Sequence, residues 1–493
     1  MTILFEQIPS TLLVPGFYTE TNTSRAASGN PSLPRRMIVV GQRLSTGTVA
    51  TAVPYRVFSV ADAEAKSGVG SQVAEMVAVA KAANRFVEMW AIGLDDNAAG
   101  VPATCTLTVT GTITKRGTLA LYVAPYWVGA TLRGRYLIDV EAAATVTAIA
   151  AAIVTAITAD PYRCVTASSI AGVVTLTARQ DGTAGNSIYV KHSYNAGEAL
   201  PTGMALAITA MASGATDSVV SGAIAAMGDT HYTHLVHPFT DATNLTAIET
   251  EMTRRWGGTV QQECHAFCAA SGSLSTLTTL GDGRNSELSS PFGSGLALSP
   301  PWVAAADIAA VDANEFHPMR PLKGLLLNSM VAPVQGDEFD APERQQLLAE
   351  GISTYTVDSS GKCRIDRLVT SYQKDANGNP SSIFRDRGVA GTLFAIRYDW
   401  RTFLAGKYPR HLHAADGTAY SPGLPIVTPS TMKAEFAGRA RQTWAYELGW
   451  IEDPDQFLAD VQIERTEDGM DMVGVPNLIN PLHIVRTRLD FIR

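Results

Sequence analysis

Three histidines spaced three residues apart are the first candidates for chemistry in this sequence. His231, His234 and His237 fall in an apolar segment that predicts a strand from 231 to 239. Side chains alternate between the two faces of a strand, so His234 points away from the other two. A metal site needs ligands that converge on one point. The spacing therefore favours three structural histidines over a set of metal ligands.

A cysteine cluster and a serine-lysine pair are two further candidates. Cys264, His265 and Cys268 lack the CxxC spacing of zinc and redox sites, and no second cysteine pair follows, so we expect buried thiols. Ser359 precedes Lys362 by three residues, as nucleophile and lysine do in some acyl-transfer enzymes. Both lie in a predicted hairpin turn, where no helix brings their side chains together. Neither pattern predicts a catalytic site.

The glycine pair Gly68 and Gly70 is one glycine short of a dinucleotide-binding fingerprint. A helical run from 59 to 66 also separates it from the strand that should precede it. A helix start explains the pair better. The sequence has no phosphate-binding loop, no HExxH and no nucleophile elbow. We therefore expect no catalytic residue, no cofactor and no metal.

The composition is that of a globular protein with several domains. Its 493 residues are 46% hydrophobic and 17% charged, which is enough for more than one core. A formal net charge of −8 argues against a protein whose main surface binds nucleic acid. The uncharged segment 142–159 is rich in alanine and threonine, which favours a packed helix over a membrane span.

The cysteine content and the N-terminus indicate where the protein resides. Five scattered cysteines fit reduced thiols better than a disulfide framework. The first 16 residues carry no basic residue ahead of their apolar stretch, so they do not match a secretory signal. We expect the protein to stay in the cell that makes it.

Alternating strand and helix patterns predict a multidomain fold of mixed α/β and α+β class. A strand at 37–41, a helix from 72 and a strand at 89–92 form a β-α-β unit. Threonine and valine then alternate as in half-buried strands, which indicates an inserted β-rich domain. The predicted boundaries are 1–36 for an extended N-terminal arm, 37–94 and 215–335 for an α/β core, 95–214 for the inserted domain, 336–480 for a C-terminal α/β domain and 481–493 for a C-terminal strand or arm.

Four stretches resemble the tail sheath proteins of Mu-like contractile-tailed bacteriophages. The most specific is the block from Leu347 to Thr354, followed by Arg364–Arg367 and Val369–Tyr372. The four stretches follow one another along nearly the whole chain. They are Val14–Glu20, Gly68–Met76, Glu343–Tyr372, and Tyr408–His411 with Ile426–Pro429.

The resemblance implies a structural subunit of the virion. Such subunits form hexameric rings stacked around a tail tube, and contraction drives the tube through the host envelope for DNA delivery. The implied partners are other copies of the chain, the tail tube protein, and the baseplate and tail terminator proteins, which meet in the host cytoplasm during assembly. Direct contact with nucleic acid and membrane insertion are not expected.

Two alternative functions stay open from the sequence. One is another phage structural protein, a tube or capsid subunit. The other is a cytosolic α/β hydrolase built around His231, His234 and Asp241.

Two sets of residues are nominated for assembly. An extended, proline-bearing arm at the N-terminus and a terminal strand at the C-terminus both suit pairing of strands between subunits. The helix that begins at Thr428 carries positive charges that either face the tube or form a solvated polar face. The pairing residues are Leu12, Val14, Phe17, Tyr18, Val485, Leu489 and Phe491, and the tube-facing candidates are Lys433, Arg439 and Arg441.

Overall fold

The computed structural model describes residues 34–421 and 423–492, and these form two compact units. The core unit comprises residues 34–393, 448–452 and 476–492, and the C-terminal unit comprises residues 394–447 and 453–475. The predicted pairing residues Leu12, Val14, Phe17 and Tyr18 lie outside the described residues. None of the helices in the described ranges is long and apolar enough to cross a membrane.

The core unit begins with the predicted β-α-β arrangement. The first strand is buried because Met37 to Val40 are all apolar. Ser71 caps the second helix by accepting a hydrogen bond from the backbone N–H of Ala74. The elements are β1 (Arg36–Gln42), β2 (Pro54–Val57), α1 (Val60–Ser67), α2 (Gln72–Ala83) and β3 (Glu88–Leu94).

Residues 102–208 form two antiparallel sheets around one helix, as the alternation of threonine and apolar residues predicts. Ile149, Ile153 and Ile157 make the buried stripe of that helix. The sheet orders are β10-β4-β8-β7 and β6-β5-β9. The elements are β4 (Pro102–Gly111), β5 (Gly117–Val128), β6 (Thr131–Val140), α3 (Val146–Ala159), β7 (Val165–Ile170), β8 (Val173–Asp181), a 3-10 turn (Thr183–Ser187), β9 (Val190–His192) and β10 (Met204–Ile208).

The α/β pattern resumes after this insertion. Asp241 caps α5, since its carboxylate accepts a hydrogen bond from the Asn244 N–H. The strand predicted from 231 to 239 is shorter and covers only His234–Val236. The elements are α4 (Ser221–Met227), β11 (His234–Val236), α5 (Ala242–Trp256), β12 (His265–Ser271), α6 (Leu274–Asp282), β13 (Ser289–Gly295) and α7 (Pro301–Asn314).

Strands from both sides of the insertion build one six-stranded sheet. Its order is β13-β12-β11-β1-β3-β2, and every pair is parallel except β2 with β3. The helices α2 and α7 pack against each other and against this sheet. The insertion lies in the same compact unit as the sheet.

The predicted domain boundary at 336 differs from the division between the compact units, which falls between Leu393 and Phe394. Residues after 336 stay with the core because they extend its sheet. Ser353 exchanges two backbone hydrogen bonds with the β13 edge, and the Ser371 N–H donates to the Ser289 carbonyl. The elements of this stretch are α8 (Ala341–Ala349), β14 (Thr354–Val357), β15 (Cys363–Arg367) and α9 (Arg387–Lys407).

The C-terminal unit packs around an aromatic cluster. Trp400, Phe436, Trp444 and Phe457 have ring centroids 4.5–6.4 Å apart. The remaining elements are β16 (Leu412–His413), β17 (Ile426–Val427), α10 (Pro429–Arg439), a π-helix (Ala440–Glu447), β18 (Ile451–Glu452), α11 (Pro454–Asp460), β19 (Gln462–Arg465), β20 (Met470–Val473) and β21 (Asn477–Leu478). Of these, β18 and β21 pair with each other in the core unit.

A buried carboxyl group joins the sheet's helices to the insertion. Glu75 on α2 accepts a hydrogen bond of 2.7 Å from the indole N–H of Trp302 on α7. Tyr126 on β5 and Arg133 on β6 stand beside it. Burial raises the pKa of Glu75 to about 7, although these neighbours oppose the shift. The folded protein therefore favours the protonated form of this carboxyl.

We expect stability to fall with rising pH because of Glu75. Its pKa is raised on folding, so the stabilising proton is bound at low pH and lost between about pH 4.5 and about pH 7. A shift of this size corresponds to roughly 3 kcal/mol. Glu75→Gln keeps an acceptor for Trp302, and it should reduce the fall in melting temperature between pH 5 and pH 8.

The matched control is Glu141→Gln, which changes an exposed carboxyl. Its melting temperatures should follow those of the unmodified protein at each pH. An equal fall in the Glu75→Gln variant and the unmodified protein contradicts the prediction.

Candidate interaction surfaces

The histidines singled out by their spacing serve separate structural roles. His234 Nε2 lies 3.0 Å from Asp312 Oδ2, and Arg387 contacts the same carboxylate at 2.9 Å. Burial lowers the pKa of His234, and it also pushes the pKa of Asp312 up, but Arg387 and His234 outweigh it there. Asp312 therefore stays a buried anion held by two donors.

The three histidines do not converge on a common site. His231 Nε2 lies 3.0 Å from the carbonyl of Glu263, whereas His237 is fully buried and stacks on Phe239. Burial lowers the pKa of His237 to about 4. In residues 34–421 and 423–492, no group of three or more His, Cys, Asp or Glu side chains is placed to hold a metal ion.

The other candidate motifs have structural roles. Cys264 and Cys268 are buried free thiols whose pKa burial raises to about 12, so both are poor nucleophiles. Ser359 and Lys362 lie in the turn between β14 and β15, where Asp358 accepts hydrogen bonds from the backbone of Ser360 and Lys362.

The glycine pair joins two helices. Gly68 ends α1 with a φ of 91°, and Gly70 has a φ of 74° just before the N-cap of α2. These left-handed conformations favour glycine. The pair therefore makes a helix-to-helix turn, as the absence of a preceding strand predicted.

The three nominated cations of α10 and the π-helix differ in their surroundings. Arg439 donates to the buried carboxylate of Asp399, with Nε to Oδ2 at 2.8 Å, and Trp444 donates to the same oxygen at 2.7 Å. The side chain of Arg439 is only 13% exposed. Its charge is therefore held inside the C-terminal unit. The sequence pattern had instead predicted a charge on the surface of the helix.

The other two nominated cations line a groove. Lys433 donates to the Val461 carbonyl at 2.9 Å, and the exposed Arg441 pairs with the exposed Asp455. The groove between α10 and α11 has a volume of about 450 Å³. Its floor is made of small and apolar residues, which are Ala434, Ala437, Gly438, Pro454 and Leu458.

A two-stranded hairpin of the C-terminal unit has both outer edges unpaired among the described residues. It consists of β19 and β20, and β19 packs against α10. Glu464 lies directly opposite Asp471, and both are exposed. Like charges opposite each other on one face of a hairpin repel, so this face suits a cationic neighbour.

The C-terminal arm, defined as residues 481–493, does not form the predicted strand within the single chain. Residues 479–492 have no regular secondary structure. Val485, Leu489 and Phe491 are 73%, 88% and 87% exposed. A strand needs a partner edge for its backbone hydrogen bonds, and no described segment supplies one here.

Comparison with known proteins identifies the family. Residues 212–371 match the phage tail sheath protein central domain. The Mu-like prophage FluMu tail sheath protein of Haemophilus influenzae is 33% identical over 497 residues, which span the whole of both chains. The chain belongs to the tail sheath proteins of Mu-like contractile-tailed phages. This sheath protein is thus a structural component of the phage particle.

Solved structures of sheath proteins are also similar in part. The sheath tail protein of Desulfitobacterium hafniense is 13% identical with a TM-score of 0.46, over 95% of this sheath protein and 100% of that chain. The sheath of an extracellular contractile injection system in its contracted state is 9% identical with a TM-score of 0.48, over 98% of each chain.

The hairpin of β19 and β20 was not predicted from the sequence as a candidate surface of the sheath protein. Asp468 and Gly469 between two short alternating segments are a hairpin signal, so the element was detectable. The placement of Glu464 directly opposite Asp471 was not detectable from the sequence, because it depends on the register in which the two strands pair.

We expect Arg439 and Arg441 to differ sharply in their contribution to stability. Arg439→Ala leaves the Asp399 carboxylate buried without its cation, which should lower the free energy of unfolding by roughly 3 kcal/mol. Arg441→Ala removes an exposed ion pair and should change it by less than about 1 kcal/mol. Chemical denaturation of the purified variants measures both, and similar losses would contradict the assignment.

Proposed function

We propose that this subunit polymerises as stacked hexameric rings around the tail tube and contracts to drive the tube through the host envelope for DNA delivery. The observation that carries the proposal is the full-length similarity to a Mu-like tail sheath protein. Assembly with the tube, baseplate and tail terminator proteins in the host cytoplasm is part of the same proposal. Neither nucleic acid nor a membrane is a direct partner in it.

Exchange of the C-terminal arm between subunits is the linkage that we propose within the polymer. Val485, Leu489 and Phe491 fall on one face of an extended segment, and all three are exposed in the single chain. The hairpin of β19 and β20 offers unpaired edges. An added strand satisfies the backbone of both partners.

The charges of the arm and of the hairpin support the hairpin as the acceptor of the arm. When Val485 and Leu489 face the half-buried side of the hairpin with Ile463 and Met472, Arg486 and Arg488 fall on the side of Glu464 and Asp471. Asp490 falls on that side too and pairs with Arg488, so a net charge of +1 meets two opposed anions. The apolar face of the hairpin is extended at the same time.

The N-terminal arm is proposed to make a second link of the same kind. Its residues Leu12, Val14, Phe17 and Tyr18 lie outside the described residues, so this part rests on the sequence pattern alone. A hairpin with two open edges has room for one arm on each side.

Links of this type are compatible with contraction. Extended arms keep their backbone pairing while the globular bodies that they connect rotate as rigid units. The bodies then bury new surface against one another without losing their connection.

We expect charge reversal to test the function and the linkage together. Electron microscopy of the unmodified protein should show ringed cylinders. Glu464→Lys with Asp471→Lys should abolish long cylinders, as should Arg486→Glu with Arg488→Glu, because each double reversal places like charges in contact. Combining all four changes restores attraction and should restore cylinders.

The control for the arm variant is Arg85→Glu with Lys115→Glu, which shifts the net charge equally at two exposed sites. It should form normal cylinders. Discrete particles from the unmodified protein would refute the polymer function. Normal cylinders from both reversed variants would refute the proposed linkage alone.

The groove that carries Lys433 and Arg441 is proposed as the surface that faces the tube. Both side chains border it, and cationic rims hold acidic partners through complementary charge. Arg439 is left out of this proposal because it is buried against Asp399, whereas the ion pair of Arg441 with Asp455 is exposed.

We expect Lys433→Glu with Arg441→Glu to weaken binding of sheath to tube by at least about tenfold, because two attractive contacts become repulsive. Co-sedimentation of sheath with assembled tubes at low and high salt measures the effect. The Arg85→Glu and Lys115→Glu variant should bind as the unmodified protein does. Unchanged sedimentation of the groove variant would exclude this surface.

A further inference from the structure

Successive contacts with the core unit hold the chain as it enters the C-terminal arm. Strand β21 pairs with β18, and the Ile479 N–H donates to the Trp450 carbonyl at 3.1 Å. Pro481 and His483 then line a cleft with residues 318–323. Among residues 484–492, Arg488 and Asp490 form an ion pair within the arm itself.

His483 sits in this cleft beside a carboxylate that is already held in place. Arg367 donates to both oxygens of Asp386, at 3.0 and 2.8 Å. His483 Nε2 lies 3.1 Å from Asp386 Oδ1. Burial pushes the pKa of Asp386 up, but His483 and Arg367 outweigh it and lower the pKa to about 2. Asp386 is thus a fixed anion with two donors.

In the arm a polar side chain is buried and apolar side chains are exposed, which is the reverse of what folding alone favours. The side chain of His483 is 16% exposed, whereas its neighbours Leu482 and Ile484 are 74% and 59% exposed. Residues 484–492 are all exposed. A polar residue is docked while apolar residues are left in solvent, although apolar residues are the ones usually buried.

We infer that His483 is a positioning residue that anchors the arm to its own subunit, so that the segment given to a neighbour begins at Ile484. This inference rests on the proposed exchange of the arm. The free segment then starts at Ile484. Phe491 lies eight residues beyond His483, which span at most about 27 Å when extended, so the edge that pairs with Phe491 on the neighbour must lie within that distance of His483.

The anchor has a thermodynamic consequence for assembly. A segment held at its root samples fewer conformations before it pairs, so less entropy is lost when it binds the neighbour. Loss of the anchor should leave the pairing surfaces intact but weaken association. The role of His483 is therefore separable from that of the pairing residues.

The test uses the full-length protein and two readouts. In His483→Ala and in Asp386→Asn, hydrogen exchange of the Ile479 amide, which is bonded to the Trp450 carbonyl, should become at least about tenfold faster in the unassembled subunit, because the chain after β21 is no longer held. The critical concentration for cylinder formation should rise by about tenfold. His483→Gln retains an N–H donor for Asp386 and should restore both values in part.

Lys115→Ala, at an exposed site of the insertion, is the control and should change neither readout. Amides of β12 and β13 report whether each variant is folded. Unchanged exchange of the Ile479 amide in a folded His483→Ala protein would overturn the anchor, whatever its effect on assembly. Faster exchange with an unchanged critical concentration would overturn the role of His483 in positioning the arm. Absence of cylinders from the unmodified protein would instead refute the polymer function.

Discussion

Backbone amide and carbonyl groups at the edge of a sheet need hydrogen-bond partners, and this constraint organises the sheath subunit. At the β13 edge of the large sheet, the chain meets the need itself, because Ser353 and Ser371 bond to that strand. At the hairpin of β19 and β20, no described segment does so. A chain that covers one edge and leaves another open is suited to partners of its own kind.

Buried charges hold the interior of each compact unit in place. Asp312 is held by His234 and Arg387, and Asp399 by Arg439 and Trp444. A buried carboxylate with fixed donors tolerates little displacement, because any shift leaves a charge without compensation. Each unit is thus braced internally by a buried carboxylate and its donors.

The same residue types serve opposite purposes according to their surroundings. Arg439 and Arg441 are two positions apart, yet one neutralises a buried anion and the other borders an open groove. His234 lies inside the core, whereas His483 docks the root of an arm. Residue type alone does not distinguish a buried cation from an exposed one, because the difference lies in what the fold places beside it.

The sequence by itself determined the local elements, the mixed fold class and the family. Helix caps at Ser71 and Asp241, the apolar stripe of α3 and the alternation of β4 all depend on neighbours close in the chain, and short-range patterns record them. Only the tertiary structure decided which charges are buried, where the compact units divide, and that His483 is docked while Val485 is exposed. Those outcomes depend on residues distant in sequence, such as Asp386 for His483 and Asp399 for Arg439, and no periodicity along the chain encodes such pairings.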